Sequence, residues 1–159
     1  MATEKQVMVI AMDDSPHSMY ALEWTLDHLF APFGSVQPFH LVVVHARPVP
    51  ISVLQLAGPA ATAEIIPMME IDLKKAALRI TEKVKDLCNK KSVKEVSMDV
   101  MEGDPRNVLC EAVEKHNASV LVVGSHGYGP MKRAVLGSVS DYCAHHAHCS
   151  VMIVKKPKT

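Results

Sequence analysis

The residues best suited to chemistry lie in one glycine-containing segment, Gly124–Ser140. Gly124, Gly127 and Gly137 are separated by two and by nine residues, and Ser138 directly follows the last glycine. Glycine lets a backbone approach a ligand closely. If a helix begins at Ser138, its first amides have no partner within the helix, and together with the helix dipole they favour an anion. The segment therefore predicts a phosphate-binding site at a helix start.

Two common phosphate-binding fingerprints are excluded here. The P-loop motif needs a glycine followed by lysine, and no glycine of this segment precedes a lysine. The dinucleotide motif GxGxxG would need a third glycine at the position of Lys132. Lys132 and Arg133 can neutralise the charge of a phosphate, although adjacent basic residues more commonly form a solvated pair. The hydroxyls of Ser138 and Ser140 are further candidate donors, and His126 is either a phosphate contact or a solvent-facing loop residue.

Short apolar runs that alternate with segments of helical periodicity must position these residues. The runs are nearly continuous in Val, Ile and Leu, which is typical of strands buried on both faces of a parallel sheet. Strands separated by helices become parallel neighbours through right-handed crossovers. This predicts one α/β domain over residues 1–159, a three-layer sandwich with an extended loop at 47–61. The predicted strands are Lys5–Met12, Phe39–Ala46, Lys94–Met101, Ser119–Val123 and Val151–Val154.

Ligands of such a sheet bind beyond the carboxyl ends of its strands. Besides the glycine-containing segment, two other loops follow such strand ends: Ala11–Ser15 and His45–Arg47. Asp13 and Asp14 precede Ser15, a capping residue followed by a first-turn proline. Because short polar side chains favour turns, both carboxylates can be explained by local structure alone.

The composition is that of a globular chain, with 48% hydrophobic and 21% charged residues. Seventeen basic residues balance seventeen acidic ones, which argues against a general nucleic-acid binder. No apolar run reaches the roughly 18–20 residues that span a bilayer, and the first residues lack a secretion signal. We therefore expect the four cysteines to be reduced thiols of an intracellular protein, in the cytoplasm and also the nucleus.

The spacing Gly124-x2-Gly127-x9-Gly137-Ser138 resembles the nucleotide-binding signature of the universal stress protein family. Val7–Ser15 resembles its first strand and turn, and Val42–Ala46 resembles the end of its second strand. Gly103–Pro105 also fits. The matches follow in the same order from about Gln6 to Lys155, and the length and the extended loop look most like plant single-domain members of the ATP-binding branch.

The resemblance implies a Rossmann-like, adenine nucleotide alpha hydrolase-like sheet of five strands in the order 3-2-1-4-5. It implies ATP or AMP as ligand, with Mg2+ or Mn2+ carried by the phosphates, and a homodimer through the last strand, Val151–Val154. Asp13 would face the ribose or adenine, and Ala46 would meet the adenine through its backbone. Lys132 and Arg133 fall in the variable x9 segment, so the family pattern does not fix their role. The remaining implied contacts are Ala11 and Met12 for adenine, Val123 and Gly124 for ribose, and Gly127, Gly137, Ser138, Val139 and Ser140 for the phosphates.

The sequence favours binding over turnover, because the phosphate segment has no Asp or Glu before Asp141 and phosphoryl transfer usually needs carboxylates to hold a metal. The leading hypothesis is a nucleotide-binding stress-response switch that presents a surface to an unidentified protein partner. The alternatives are a slow ATPase and a nucleotide-independent, chaperone-like holdase that uses Val53, Leu54 and Leu56.

The run Cys143–Cys149 contains three histidines between its terminal cysteines and superficially suggests a metal site. Helical spacing places Cys143 and His146 on one face and His145 and Cys149 on another. We therefore expect no metal site from this helix alone.

Overall fold

Five parallel strands form a single sheet in the order β3-β2-β1-β4-β5, which confirms the predicted fold. The computed structural model describes residues 4–50, 65–126 and 136–157. Each strand lies within two residues of its predicted bounds. The strands are β1 Gln6–Ala11, β2 Phe39–Arg47, β3 Val96–Glu102, β4 Ala118–Gly124 and β5 Ser150–Val154.

The described helices are α1 Pro16–Thr25, α2 Ile66–Lys90, α3 Pro105–Lys115 and α4 Ser138–His146. The first helix continues as a π-helical turn, Leu26–Phe30, and a short 3-10 turn, Ala31–Phe33. The fourth helix ends at His146, since Ala147 is already extended (φ −70°, ψ 138°). None of the helices in the described ranges is both long and apolar enough to span a bilayer.

The core has two layers because alternate residues of each strand face opposite sides of the sheet. In β1, Met8 and Ile10 pack with Leu22 and Leu26 on one side, whereas Val9 packs with α3 and α4 on the other. The side chains of all five residues are at most 1% exposed. The three-layer arrangement thus follows from strands that are apolar on both faces.

This topology places the switch point of the sheet, where a crevice is expected, between the carboxyl ends of β1 and β4. The two strands are neighbours in the centre of the sheet, but β1 leads into α1 on one face and β4 leads towards α4 on the other. Connections that diverge to opposite faces leave an opening at the strand ends, where ligands of open α/β sheets bind.

Candidate functional site

The turn after β1 is fixed by a compact hydrogen-bond network. Asp13 Oδ1 accepts from the Ser15 amide at 2.8 Å and from Ser18 Oγ at 2.7 Å. Ser15 Oγ accepts from the Ser18 amide at 3.2 Å, which confirms Ser15 as the cap of α1. Asp13 therefore has a local role at the crevice, because its carboxylate helps to shape the turn.

The neighbouring carboxylate of Asp14 reaches a different element. Its Oδ1 lies 2.6 Å from Nζ of Lys83 on α2, and both side chains are at least two-fifths exposed. Such an exposed pair contributes little to stability. The ion pair orients the Asp14 side chain toward α2.

The ends of β1 and β2 are held together beside this turn. The Met12 amide donates to the carbonyl of Val44 at 2.8 Å. The Met12 carbonyl lies 2.9 Å from Nδ1 of His45, whose side chain is buried. His45 thus supports the loop, as its position at the strand end predicts. Ala11 and Ala46 also lie at the carboxyl ends of their strands. Ala11 is paired with Val44 of β2, and Ala46 is paired with a residue of β3.

Gly124, the last residue of β4, is required by close packing against α1. A Cβ atom at this position would lie 2.9 Å from the carbonyl oxygen of His17, a contact that backbone atoms cannot relieve cheaply. The preceding Val123 is 2% exposed and belongs to the core. Any contribution of Val123 to a ligand would therefore come from its backbone.

The start of α4 leaves backbone donors available, as the sequence predicts. Gly137 is the N-cap residue (φ −71°, ψ 165°), and no side chain caps the helix. The first amide that donates back along the helix is that of Asp141, to the Gly137 carbonyl at 3.0 Å. The amides of Ser138, Val139 and Ser140 precede it and have no partner within the helix. These three amides form a donor set suited to an anion.

The same helix start is anchored to the end of β4. The Gly137 amide donates to the Ser125 carbonyl at 2.7 Å, and Ser140 Oγ donates to the same oxygen at 3.0 Å. A Cβ on Gly137 would approach this oxygen to 3.2 Å. The buried Ser140 hydroxyl thus has a structural partner, whereas the side chain of Ser138 is exposed.

Two histidines that face each other complete the crevice. The rings of His17, in the first turn of α1, and His126, just after β4, meet edge to face with centroids 5.3 Å apart. His17 Nδ1 is buried and has no hydrogen-bond partner among the described residues. Burial lowers the pKa of His17, with additional lowering by His126 and Lys156 and an opposing effect from Asp13. His17 is not among the residues predicted from the sequence, although its place in the first turn after a central strand is a usable signal.

Some predicted residues lie outside the described ranges: Gly127, Lys132, Arg133 and most of the 47–61 loop, including Val53, Leu54 and Leu56. The part of the site that the structure brings together is the turn after β1, the ends of β2 and β4, and the start of α4.

The Cys143–Cys149 run does not form a cluster of ligands. No group of three or more His, Cys, Asp or Glu side chains within the described ranges could hold a metal ion. Cys143 is fully buried, and burial raises the pKa of its thiol to about 12. Cys143 and His146 do not share a buried face. His146 is exposed, and its ring stacks on that of Tyr142 with the centroids 4.1 Å apart. Cys149 lies beyond the helix, so the predicted helical pairing of His145 with Cys149 is wrong.

Comparison with known proteins identifies relatives of this fold. The chain is 31% identical over 165 residues to universal stress protein PHOS34 of Arabidopsis thaliana, covering 93% of this chain and 61% of the relative. The chain thus spans about three fifths of that relative's length.

Solved structures share the architecture at lower identity. A universal stress protein family protein from Arabidopsis thaliana with AMP bound superposes with a TM-score of 0.66 at 23% identity, covering 95% of this chain and 92% of that one. A universal stress protein in complex with cAMP superposes with a TM-score of 0.67 at 20% identity, covering 96% and 98%. The sequence model of the universal stress protein family matches residues 5–155. The chain therefore belongs to the universal stress protein family.

Proposed function

We propose that this protein binds an adenine nucleotide, ATP or AMP, in the crevice between β1 and β4. The observation that carries the proposal is the set of three amides, at Ser138, Val139 and Ser140, which open α4 without partners in the helix. Gly137 brings these amides against the end of β4. Phosphate is the anion suited to such a set of aligned donors. The AMP-bound and cAMP-bound proteins of the same fold support an adenine nucleotide as the ligand class.

In this proposal, the phosphates lie at the start of α4 and the base lies toward β2. Asp13 presents a carboxylate toward the ribose or adenine, and the backbone of Ala46 contacts the adenine. Gly127, Lys132 and Arg133 add phosphate contacts from the segment between β4 and α4, and Mg2+ or Mn2+ is carried by the phosphates. The remaining contacts come from Ala11, Met12, Val123, Gly124 and the Gly137–Ser140 cradle.

The proposed activity is binding that regulates a protein partner. The turn after β1 carries two carboxylates, but Asp13 Oδ1 already accepts two hydrogen bonds within that turn and Asp14 pairs with Lys83 on α2. Catalysis of phosphoryl transfer also needs a group that positions the nucleophile. We therefore favour a stress-response switch. In it, the amides at the start of α4 bind the nucleotide, and the bound nucleotide alters the surface around the cradle.

The cradle can be tested by removal of a single amide. Proline is well tolerated at the first helical position, and the extended backbone of Gly137 is compatible with a following proline. Ser138→Pro should therefore preserve the helix but delete one donor to the phosphates. A hydrogen bond to a charged group contributes about 1.5–3 kcal/mol, so the Kd for a non-hydrolysable ATP analogue in calorimetry should rise roughly 10- to 100-fold.

Ser138→Ala is the matched control, since it removes the hydroxyl and keeps the amide. We expect Ser138→Ala to bind several-fold more tightly than Ser138→Pro at equal thermal stability. Equal affinity of the proline variant and the wild type would refute a cradle at this helix start. Mass spectrometry of nucleotide released from freshly purified protein would distinguish ATP from AMP, and product release above that of Ser138→Pro would support slow hydrolysis.

A further inference from the structure

Three basic side chains from three different elements surround one point of the crevice. His17 comes from the start of α1, His126 follows β4 and Lys156 follows β5. The two imidazole rings are in edge-to-face contact, and Lys156 is close enough to act electrostatically on His17. Asp13 is the neighbouring charge that favours a protonated His17. These neighbours therefore disfavour protonation of His17 unless an anion binds nearby.

His126 connects this cluster to the amide cradle. A Cβ atom built on Gly137, the N-cap of α4, would lie 3.6 Å from Nδ1 of His126. His126 thus lies beside the N-cap of α4 on one side and contacts the ring of His17 on the other. An anion bound at the start of α4 would lie beside the pair.

The Nδ1 atom of His17 is a second feature of this cluster. This nitrogen has no partner among the described residues, and a buried polar atom without a hydrogen bond is costly. A proton on this nitrogen would itself need an acceptor, and burial and like charges disfavour the cation unless negative charge is supplied nearby.

We propose that His17 and His126 form a proton-linked contact for the phosphate chain of the ligand, so that polyphosphate binding takes up a proton at this pair. The inference rests on the proposed nucleotide site and adds its regulation. The ligand class is a polyphosphate anion, either as the tail of a nucleotide or as the inorganic ion. The protein then holds its ligand more tightly as the pH falls, in response to acidification.

The direction of the pH dependence follows from the charges. In the free protein, burial, His126 and Lys156 lower the pKa of His17, and Asp13 only partly opposes them. A bound phosphate adds negative charge, which raises the pKa of a neighbouring histidine. Between the free and bound pKa values, uptake of one proton makes affinity rise by up to about tenfold per pH unit of acidification.

The test uses calorimetry of the full chain with ATP and, separately, with inorganic tripolyphosphate between pH 6 and 8. Each titration is run in two buffers of different ionisation enthalpy, which gives the number of protons taken up. The double variant His17→Asn with His126→Asn is the reference, because the terminal phosphate itself titrates near pH 6 and this contribution is common to both proteins. His148→Asn is the matched control, because His148 is exposed, pairs with Glu114 and precedes β5 at the opposite end of the sheet.

We expect the wild type and His148→Asn to take up about one proton more than the double variant, which should retain binding with a flatter pH profile. Equal proton uptake in all three proteins would overturn the inference and leave nucleotide binding intact. Proton-linked binding of tripolyphosphate with no preference for ATP would support the inference and refute the adenine site. An absence of binding by either ligand would overturn both.

A measurement without variants guards against misfolding of the double variant. The ring signals of the nine histidines are followed by NMR as a function of pH, with and without tripolyphosphate. The signal of His17 should titrate at higher pH when the anion is present. Unchanged titration of every histidine in the presence of bound anion would contradict the proposal.

Discussion

At the scale of single residues, the glycines and serines of the site have separable roles. Gly124 is required because its α-carbon lies against the backbone of His17, and Gly137 because its backbone approaches Ser125. Ser140 uses its hydroxyl to tie α4 to β4, whereas Ser138 offers its amide at an exposed position. Packing of the crevice and the proposed contact with a ligand therefore involve different atoms of the same segment.

Replacement of Gly124 by alanine should destabilise the protein without direct loss of a ligand contact. The added Cβ would lie 2.9 Å from the His17 carbonyl oxygen, and overpacking of this kind costs about 1–3 kcal/mol. Urea denaturation should show a lower midpoint with an unchanged m-value. A free energy of unfolding within about 0.5 kcal/mol of the wild type, the range of neutral surface substitutions, would contradict the tight approach of β4 to α1.

Sequence reasoning reached the residues whose role is local and missed those whose role depends on distant contacts. The start of α4 at Ser138 and the cap at Ser15 were predictable, because capping and glycine spacing are signals within a few residues. The pairing of His17 with His126 joins segments 109 positions apart in the chain, and no local pattern encodes it. The π-helical turn Leu26–Phe30 was also missed, since a period of 3.6 residues does not predict it.

At the scale of elements, the edge strand β5 is the candidate surface for a dimer. The outer strand β5 carries Val151 and Ile153, which pack partly against the core, and its outer edge is a template for pairing. The family resemblance implies a dimer through this strand, and we retain that as a proposal. Exposed apolar residues elsewhere, Met68, Ile71 and Leu78 on α2, extend the surface available to a protein partner or to the holdase alternative.

Proline at position 153 should weaken such a dimer while it spares the fold. The Val154 carbonyl accepts from the Ser125 amide, so the backbone of Val154 faces inward, and that of Ile153, by the alternation of a strand, faces the free edge. Ile153→Pro thus removes an outward donor and keeps the pairing with β4, as proline is tolerated on edge strands. Analytical ultracentrifugation should show a shift toward monomer relative to Ile153→Ala. A dimer of unchanged affinity would place the interface elsewhere.

At the scale of the whole molecule, the fold brings the residues of the proposed ligand site to one end of an otherwise apolar sheet. The turn after β1, the end of β2 and the start of α4 meet there because β1 and β4 are central neighbours with connections to opposite faces. Helices and core hold these donors before any ligand arrives, so binding does not have to order them. A nucleotide at the proposed site would bridge the two halves of the sheet and so provide a route to the surrounding surface.

The most direct test of this account is an amide-resolved NMR titration of the full chain with a non-hydrolysable ATP analogue and Mg2+. We expect saturable shifts of the amide signals of Met12, Ala46, Ser138 and Val139, at the carboxyl ends of the strands. The signals of residues at the opposite, amino ends, such as Ser97 and Asn117, should remain unchanged. If millimolar nucleotide left the amides at the start of α4 unperturbed, or if the shifts clustered at the amino ends, the proposed nucleotide site would be wrong.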